Sequence, residues 1–205
     1  SVDSVLYSDG YNLKTITIGA QCNTEQFSGL SSCSNLLQIS VADNNPYLCV
    51  KDNVLFSKDG TVLVSYASAR PGISYTVPTG TKKINFQAFH ACRSLYSIVL
   101  PDGLTEIDYD GIGCANLKEI TIPASVTTIN SGAVGFHYGV KLENLIIRGA
   151  AGSVAESYAK ENGFTFVEIG ATSGECGDNL TWSVDAEGVL TISGTGAMWD
   201  YTDIV

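Results

Sequence analysis

Few side chains in this 205-residue chain are of types that could do chemistry, and they are scattered. The two histidines, His90 and His137, could ligate a metal or exchange protons only if folding brought them together beside carboxylates. Nothing in their spacing requires that, and both read as exposed turn histidines. Asp102, Glu106, Asp108 and Asp110 form a local acidic cluster. A calcium loop needs the D-x-D-x-D-G order that wraps oxygens around one ion, and that order is missing. The cluster therefore reads as solvated surface charge. Gly132, Gly135 and Gly139 are too irregular to cradle a phosphate. No nucleophile can be paired with a base, so no catalytic residue, metal ligand or cofactor is expected.

The six cysteines divide into two groups. Cys33, Cys92 and Cys114 recur at one slot of a repeated pattern, where a small apolar side chain is wanted, and read as buried free thiols. Cys22, Cys49 and Cys176 lie off that pattern, and a bridge between Cys22 and Cys49 stays open. None has the C-x-x-C spacing of a zinc site.

The pattern itself is the strongest signal in the chain. LKEITIPASV (117–126), LYSIVLPDGL (95–104) and ISYTVPTGT (73–81) are the same segment repeated. Unit starts fall at Leu13, Leu36, Gly72, Leu95, Leu117 and Leu142. All but one of the gaps are about 22 to 25 residues, in the range of solenoid repeats, and the long gap after Leu36 marks an insertion. Within a unit, apolar residues alternate with Ser, Thr or Val (Leu95, Ile98, Leu100; Leu117, Ile120, Ile122). This is the period of a strand with one buried face. Pro78, Pro101 and Pro123 follow, and a residue without an N–H ends the ladder. A second apolar pair (Leu104 and Ile107; Val126 and Ile129) returns the chain over the core. One coil cannot bury its own apolar edge, so the coils must stack, with strands ~4.8 Å apart.

A Leu-x-x-Ile-x-Ile-Pro stretch, a Val/Leu-Thr-x-Ile step and an Ala-Phe-x-x-Cys closure resemble the BspA-type leucine-rich repeats of bacterial cell-surface proteins. The match is closest at 72–94, which ends in KKINFQAFHACRS, and the resemblance covers about 13–168. Three units depart from the pattern: Glu25 stands at an apolar position, the unit with Gly111-Ile112-Gly113-Cys114 is one residue short, and the next has no Cys. The resemblance implies a right-handed, β-rich leucine-rich-repeat solenoid of the α/β class, with short helical or irregular convex segments. It also implies a non-enzymatic role in adhesion or ligand binding, outside the cell or attached to its wall. The alternative it leaves is a structural spacer that presents other modules of a larger surface protein.

Local signals divide the chain further. Residues 1–12 read as an incomplete lead-in. An insertion at 46–70 contains two β-rich runs around Asp59-Gly60, from Val54 to Tyr66, which read as a hairpin on the solenoid flank or a ligand-contacting flap. After a strand at 145–147, Ser153 and Glu156 form a capping box and Asn162-Gly163 a stop, so a helix over 153–162 is expected to cover the open end of the stack. Residues 169–175 read as a linker. Residues 176–205 look like the β-hairpin start of a further module, with strands at 180–184 and 189–193 around Asp185-Ala186-Glu187-Gly188. The chain begins and stops mid-pattern, as a piece of a longer protein would. The sequon Asn179-Leu180-Thr181 matters only in a glycosylating host.

The net charge is −10. With Lys82-Lys83 an isolated pair, there is no basic patch to meet nucleic acid or an anionic membrane. No apolar run is long enough to span a bilayer, no signal peptide opens the chain, and a monomer is expected. What remains is a surface. Outward strand positions place Thr15, Thr17, Gln38, Ser40, Ser74, Thr76, Ser97, Val99, Glu119 and Thr121 on one sheet face, with Tyr96 at its margin. Leucine-rich-repeat proteins often bind partners on that face, which implies an unidentified host or matrix protein, or a glycan, as partner. Small β-formers suit any exposed sheet, however, and the face lacks large anchors.

Overall fold

The computed structural model describes residues 10–22, 28–170, 173–184 and 189–199. Glu25, the turn at 185–188 and most of the lead-in lie outside the described residues. The chain divides into two compact units, Ser1–Val167 and Glu168–Val205.

The first unit is a β-solenoid with two sheet walls. Thr15–Ile18 (β1) and Gln38–Val41 (β2) pair in parallel, with Ile16 beside Ile39. A meander follows: Leu48–Lys51 (β3), Val54–Ser57 (β4) and Val62–Tyr66 (β5). Each later coil supplies a strand to each wall: Ser74–Thr76 (β6) and Lys83–Ile84 (β7), Ser97–Val99 (β8) and Glu106–Ile107 (β9), Glu119–Thr121 (β10) and Thr128–Ile129 (β11). A small hairpin, Phe136–His137 (β12) and Val140–Lys141 (β13), precedes Ile146–Gly149 (β14), the helix Val154–Asn162 (α1) and Thr165–Glu168 (β15).

The first wall runs β15-β14-β10-β8-β6 and the second β11-β9-β7-β5-β4-β3. Ile98, Ile120 and Ile147 stack in register on the first, and Ile84, Ile107 and Ile129 on the second. The prolines do what their chemistry dictates. Pro101 and Pro123 each end a strand, and their carbonyls then accept a turn hydrogen bond (Leu104 N–H, 3.1 Å; Val126 N–H, 3.1 Å) that sends the chain to the other wall. Cys33, Cys92 and Cys114 are fully buried, and none of the six cysteines is in a disulfide. Cys49 makes no bridge to Cys22; its Sγ donates to the Ser57 carbonyl at 3.3 Å.

Several expectations need correction. The first concerns the insertion, which is no flank decoration. All four β4 residues are buried, and β5 continues the second wall beside β7. Leu48, Leu55 and Val64 enter one core with Ile18, Leu36 and Ile39, whereas Val54, Phe56, Leu63 and Tyr66 enter the main core. The β4–β5 register shifts where Phe56 pairs with Leu63, leaving Val64 as the extra residue of a bulge. This allows Leu63 and Tyr66 both to face the main core. The turn at Asp59-Gly60 is as expected, with Gly60 left-handed, but a second tight turn, Asp52-Asn53 with both φ positive, joins β3 to β4. That is the primed geometry whose twist matches a hairpin.

The second correction is the register of the last coil. Ile146 lies beside Glu119, so this coil starts two residues later than Leu142, because β12 and β13 use the preceding residues. Gly149 then falls where Ile122 falls one coil earlier, and a Cβ there would come within 3.1 Å of the Ala155 side chain. Helix α1 has its predicted Ser153 cap and left-handed Gly163 stop. It buries Ala155, Tyr158 and Ala159, and Tyr158 Oη donates to the Val134 carbonyl (2.7 Å) and accepts from the Val134 N–H (3.0 Å). The third correction is in the second unit, where Ser173–Gly177 (β16), which begins inside the expected linker, pairs antiparallel with Leu180–Val184 (β17). Leu190–Gly194 (β18) completes that three-stranded sheet. The fourth correction, to the histidines, belongs to the site.

Candidate functional site

The outer face of the first wall is assembled by register. Ser74, Ser97, Glu119 and Ile146 form one row, and Thr76, Val99, Thr121 and Arg148 the next. Tyr96 is exposed at the margin. Arg148 and Ile146 were not anticipated, because the late register of the last coil hid them. Arg148 Nε lies 3.2 Å from Glu119 Oε2, so the one charge expected on this face is paired. The predicted strip is also shorter than expected. Thr15, Thr17, Gln38 and Ser40 belong to the separate β1–β2 sheet, where Thr17 and Ser40 share a side-chain hydrogen bond of 2.9 Å. β2 and β6 do not pair, so the two groups do not form one ladder.

In the acidic cluster Glu106, Asp108 and Asp110 are tied up, whereas Asp102 is exposed. Lys83 Nζ bridges Glu106 Oε1 (2.8 Å) and Asp108 Oδ2 (3.0 Å) across neighbouring coils. Burial pulls the Lys83 ammonium down and the Asp108 carboxyl up, but the Glu106 and Asp108 carboxylates together raise the lysine, and Lys83, the Tyr109 N–H and Asn130 together lower the aspartate. Among the described residues no group of three His, Cys, Asp or Glu side chains is arranged to hold a metal.

The histidines, read as separate exposed residues, converge. His90 is only 5% exposed, and its ring centroid lies 5.6 Å from that of His137. Tyr138 meets both rings edge-on, at 4.7 and 4.5 Å. The cause lies in two irregularities of the repeat. The short coil puts Gly113 between the rings' parent coils, and a Cβ there would stand 2.5 Å from Asp110 Oδ1 and 3.2 Å from His90 Nδ1. The β12–β13 hairpin then folds His137 back, its Nδ1 2.8 Å from the Gly113 carbonyl. Asp110 Oδ2 lies 3.0 Å from His90 Nδ1, off the line of a hydrogen bond, and accepts from Gln87 Nε2 at 2.9 Å. Gln87 Oε1 in turn accepts from Ser31 Oγ at 2.8 Å. Acid and imidazole are present, and the Ser31 hydroxyl at the end of the chain donates to Gln87. The cluster links side chains and backbone of four coils.

Two walls built from 22-to-25-residue units, a stacked isoleucine core and an in-register outer face define a leucine-rich-repeat solenoid. The BspA type leucine rich repeat region matches residues 66–179 in six copies, and the chain belongs to that family. A crystal structure of a leucine-rich repeat protein from Eubacterium ventriosum is similar at 26% identity and TM-score 0.54, over 68% of this chain and 37% of that one. The pneumococcal vaccine antigen PcpA (16% identity, TM-score 0.42, 78% of this chain and 57% of that one) also matches. So does a leucine rich cell surface protein from Faecalibacterium prausnitzii (24%, 0.40, 72% and 50%). The chain thus covers 37 to 57% of the length of these structures. No curated protein matches.

Proposed function

We propose that this chain is a non-enzymatic binding segment of a bacterial cell-surface protein, and that it meets a host or matrix protein, or a glycan, through the outer face of its first wall. The observation that carries the reading is the pair of in-register rows from Ser74 to Ile146 and from Thr76 to Arg148, in which side chains from four successive coils align into a single surface. With Glu119 and Arg148 paired, the face is close to neutral, so binding should depend little on salt. The spacer reading draws support from the same face, which offers Tyr96 at its margin and no tryptophan. Screening immobilised matrix proteins and glycans against the parent and a Ser97→Arg, Thr121→Arg double variant decides between them. Bulky charge across the rows should weaken a true ligand by about tenfold or more. A ligand indifferent to the double variant sinks the proposed face, and no ligand at all favours the spacer.

A further inference from the structure

The first wall ends abruptly at β6, and this terminal strand differs from the other end of the sheet. In the regular coils each strand receives the next by a fixed pattern: the Ser97 N–H donates to the Ile73 carbonyl (3.2 Å) and the Glu119 N–H to the Tyr96 carbonyl (3.2 Å). By that pattern the Ser74 N–H should reach the carbonyl of Leu37. It does not, because the chain returning from the meander meets the preceding coil too early, the Ala69 N–H donating to the Leu36 carbonyl at 2.8 Å. β2 and β6 are therefore left unpaired. Alternate residues of a parallel strand point their backbone groups to opposite sides. The β8 side uses Ile73 and Val77, whose N–H donates to Val99 at 2.9 Å, so Ser74 and Thr76 aim their N–H and C=O groups off the sheet. Both residues are exposed, and Ile73 beside them is 67% exposed.

Native sheets blunt such edges with charge, proline or brevity. β15, at the opposite end, carries Glu168, whereas Ser74-Tyr75-Thr76 carries no charge. Pro71 and Pro78 limit the open stretch to a few residues, short enough to resist indiscriminate sheet growth but long enough for a specific strand. Tyr75 is held rigidly beneath, packed on Tyr66 and Phe89 with the Arg70 guanidinium over its ring at 5.4 Å, so the edge is already in strand conformation.

We propose that the open edge of β6 is a strand-addition site, taking an extended segment of a partner protein in which apolar and small polar residues alternate. Donors and acceptors two residues apart along a strand, about 6.6 Å, are matched by another extended polypeptide backbone. The favoured pattern follows from the structure: in an uninterrupted stack this edge would face Gln38-Ile39-Ser40-Val41, and β8 pairs with its other side through Ser97-Ile98-Val99. The proposal goes beyond the outer-face reading, since it rests on backbone groups at the rim and not on side chains of the rows.

The probe is a blocked synthetic peptide copying residues 37–42, with a scrambled control, read by amide hydrogen exchange and by titration. The Ser74 and Thr76 amides should exchange fast in the free protein and slow when the peptide, but not the control, is added. Thr76→Pro removes one outward N–H without touching the β8 ladder and should weaken the peptide about tenfold. Thr121→Arg should leave it unchanged, so loss of the outer-face reading and loss of this one are separable. If Thr76→Pro unfolds the chain, the exchange measurement on the parent decides. Amides already protected in the free monomer, a peptide that does not bind, or binding that leaves Ser74 and Thr76 exchanging fast each overturns the proposal. Concentration-dependent protection without peptide would make a second copy of this chain the occupant and overturn the partner-strand reading.

Discussion

The enlarged coil at 36–71 and the regular coils after it solve the same burial problem differently. In the regular coils each strand has one dry face: Ser97-Ile98-Val99 buries only Ile98, and Glu119-Ile120-Thr121 only Ile120. Stability there is distributed over equivalent residues in successive coils. In the enlarged coil β4 is dry on both faces, with Leu55 in one core and Phe56 in the other. It acts as a partition, and the two cores depend on it jointly. An insertion in a repeat array is thus not automatically a surface ornament. Its own hydrophobic pattern decides, because a run such as Val-Leu-Phe cannot be left in water on either side.

Sidedness is what the largest effects should test. A carboxylate at Leu55 ought to be as damaging as one at Ile98, since either buries an unpartnered charge at a cost on the order of several kcal/mol. Leu55→Asp and Ile98→Asp should both lose cooperative thermal unfolding by circular dichroism. If Leu55→Asp melts like the parent, β4 has a wet face and the partition does not exist. Among truncations, Phe56→Ala should cost ~3–5 kcal/mol and Ile98→Ala ~2–5 kcal/mol by denaturant unfolding.

The end of the regular stack gives a smaller effect. Tyr158 satisfies both backbone groups of Val134 from helix α1, and burial pushes its phenol up to about 12. Tyr158→Phe leaves two buried groups unpaired and should cost ~1–3 kcal/mol in denaturant melts. An unchanged melt would mean that water reaches the last coil and that α1 does not seal it.

Thiol chemistry sharpens the comparison without changing stability. Cys33, Cys92 and Cys114 are fully buried, and burial pushes the Cys33 and Cys92 thiols up, away from the reactive thiolate. In the folded protein a maleimide should spare these three and label half-buried Cys49 of the enlarged coil sooner. Mass spectrometry showing Cys92 or Cys114 labelled first would contradict the stacked closure.

The smallest effect is a titration in the enlarged coil's own turn. Hydrogen bonds from Ser57 (2.6 Å), then from the Thr61 N–H (3.0 Å) and hydroxyl (2.9 Å), lower the Asp59 carboxyl to about 2. A carboxyl lowered in the folded state stabilises it fully above the ordinary aspartate range and loses that contribution as pH falls from about 4 toward 2. NMR should place the Asp59 midpoint near 2, and Ser57→Ala should move it upward. An Asp59 that titrates normally would mean the turn is open.

The repeat, its strand-ending prolines, the buried cysteine slot, the Ser153 cap and the Asp59-Gly60 turn were all legible in the sequence, because each depends on near neighbours: alternation, a missing N–H, a left-handed glycine. Tertiary structure alone decided the rest. Whether Val54 to Tyr66 lies on a flank or between two cores depends on what packs against each face, and local alternation cannot carry that. His90 and His137 meet only because a missing residue at Gly113 and an added hairpin at 136–141 displace neighbouring coils toward each other. Arg148 reached the outer face through the same late register. The gap between β2 and β6 arose in the same way, since a strand's pairing partner is fixed by where the chain returns in space and not by the pattern the strand itself displays.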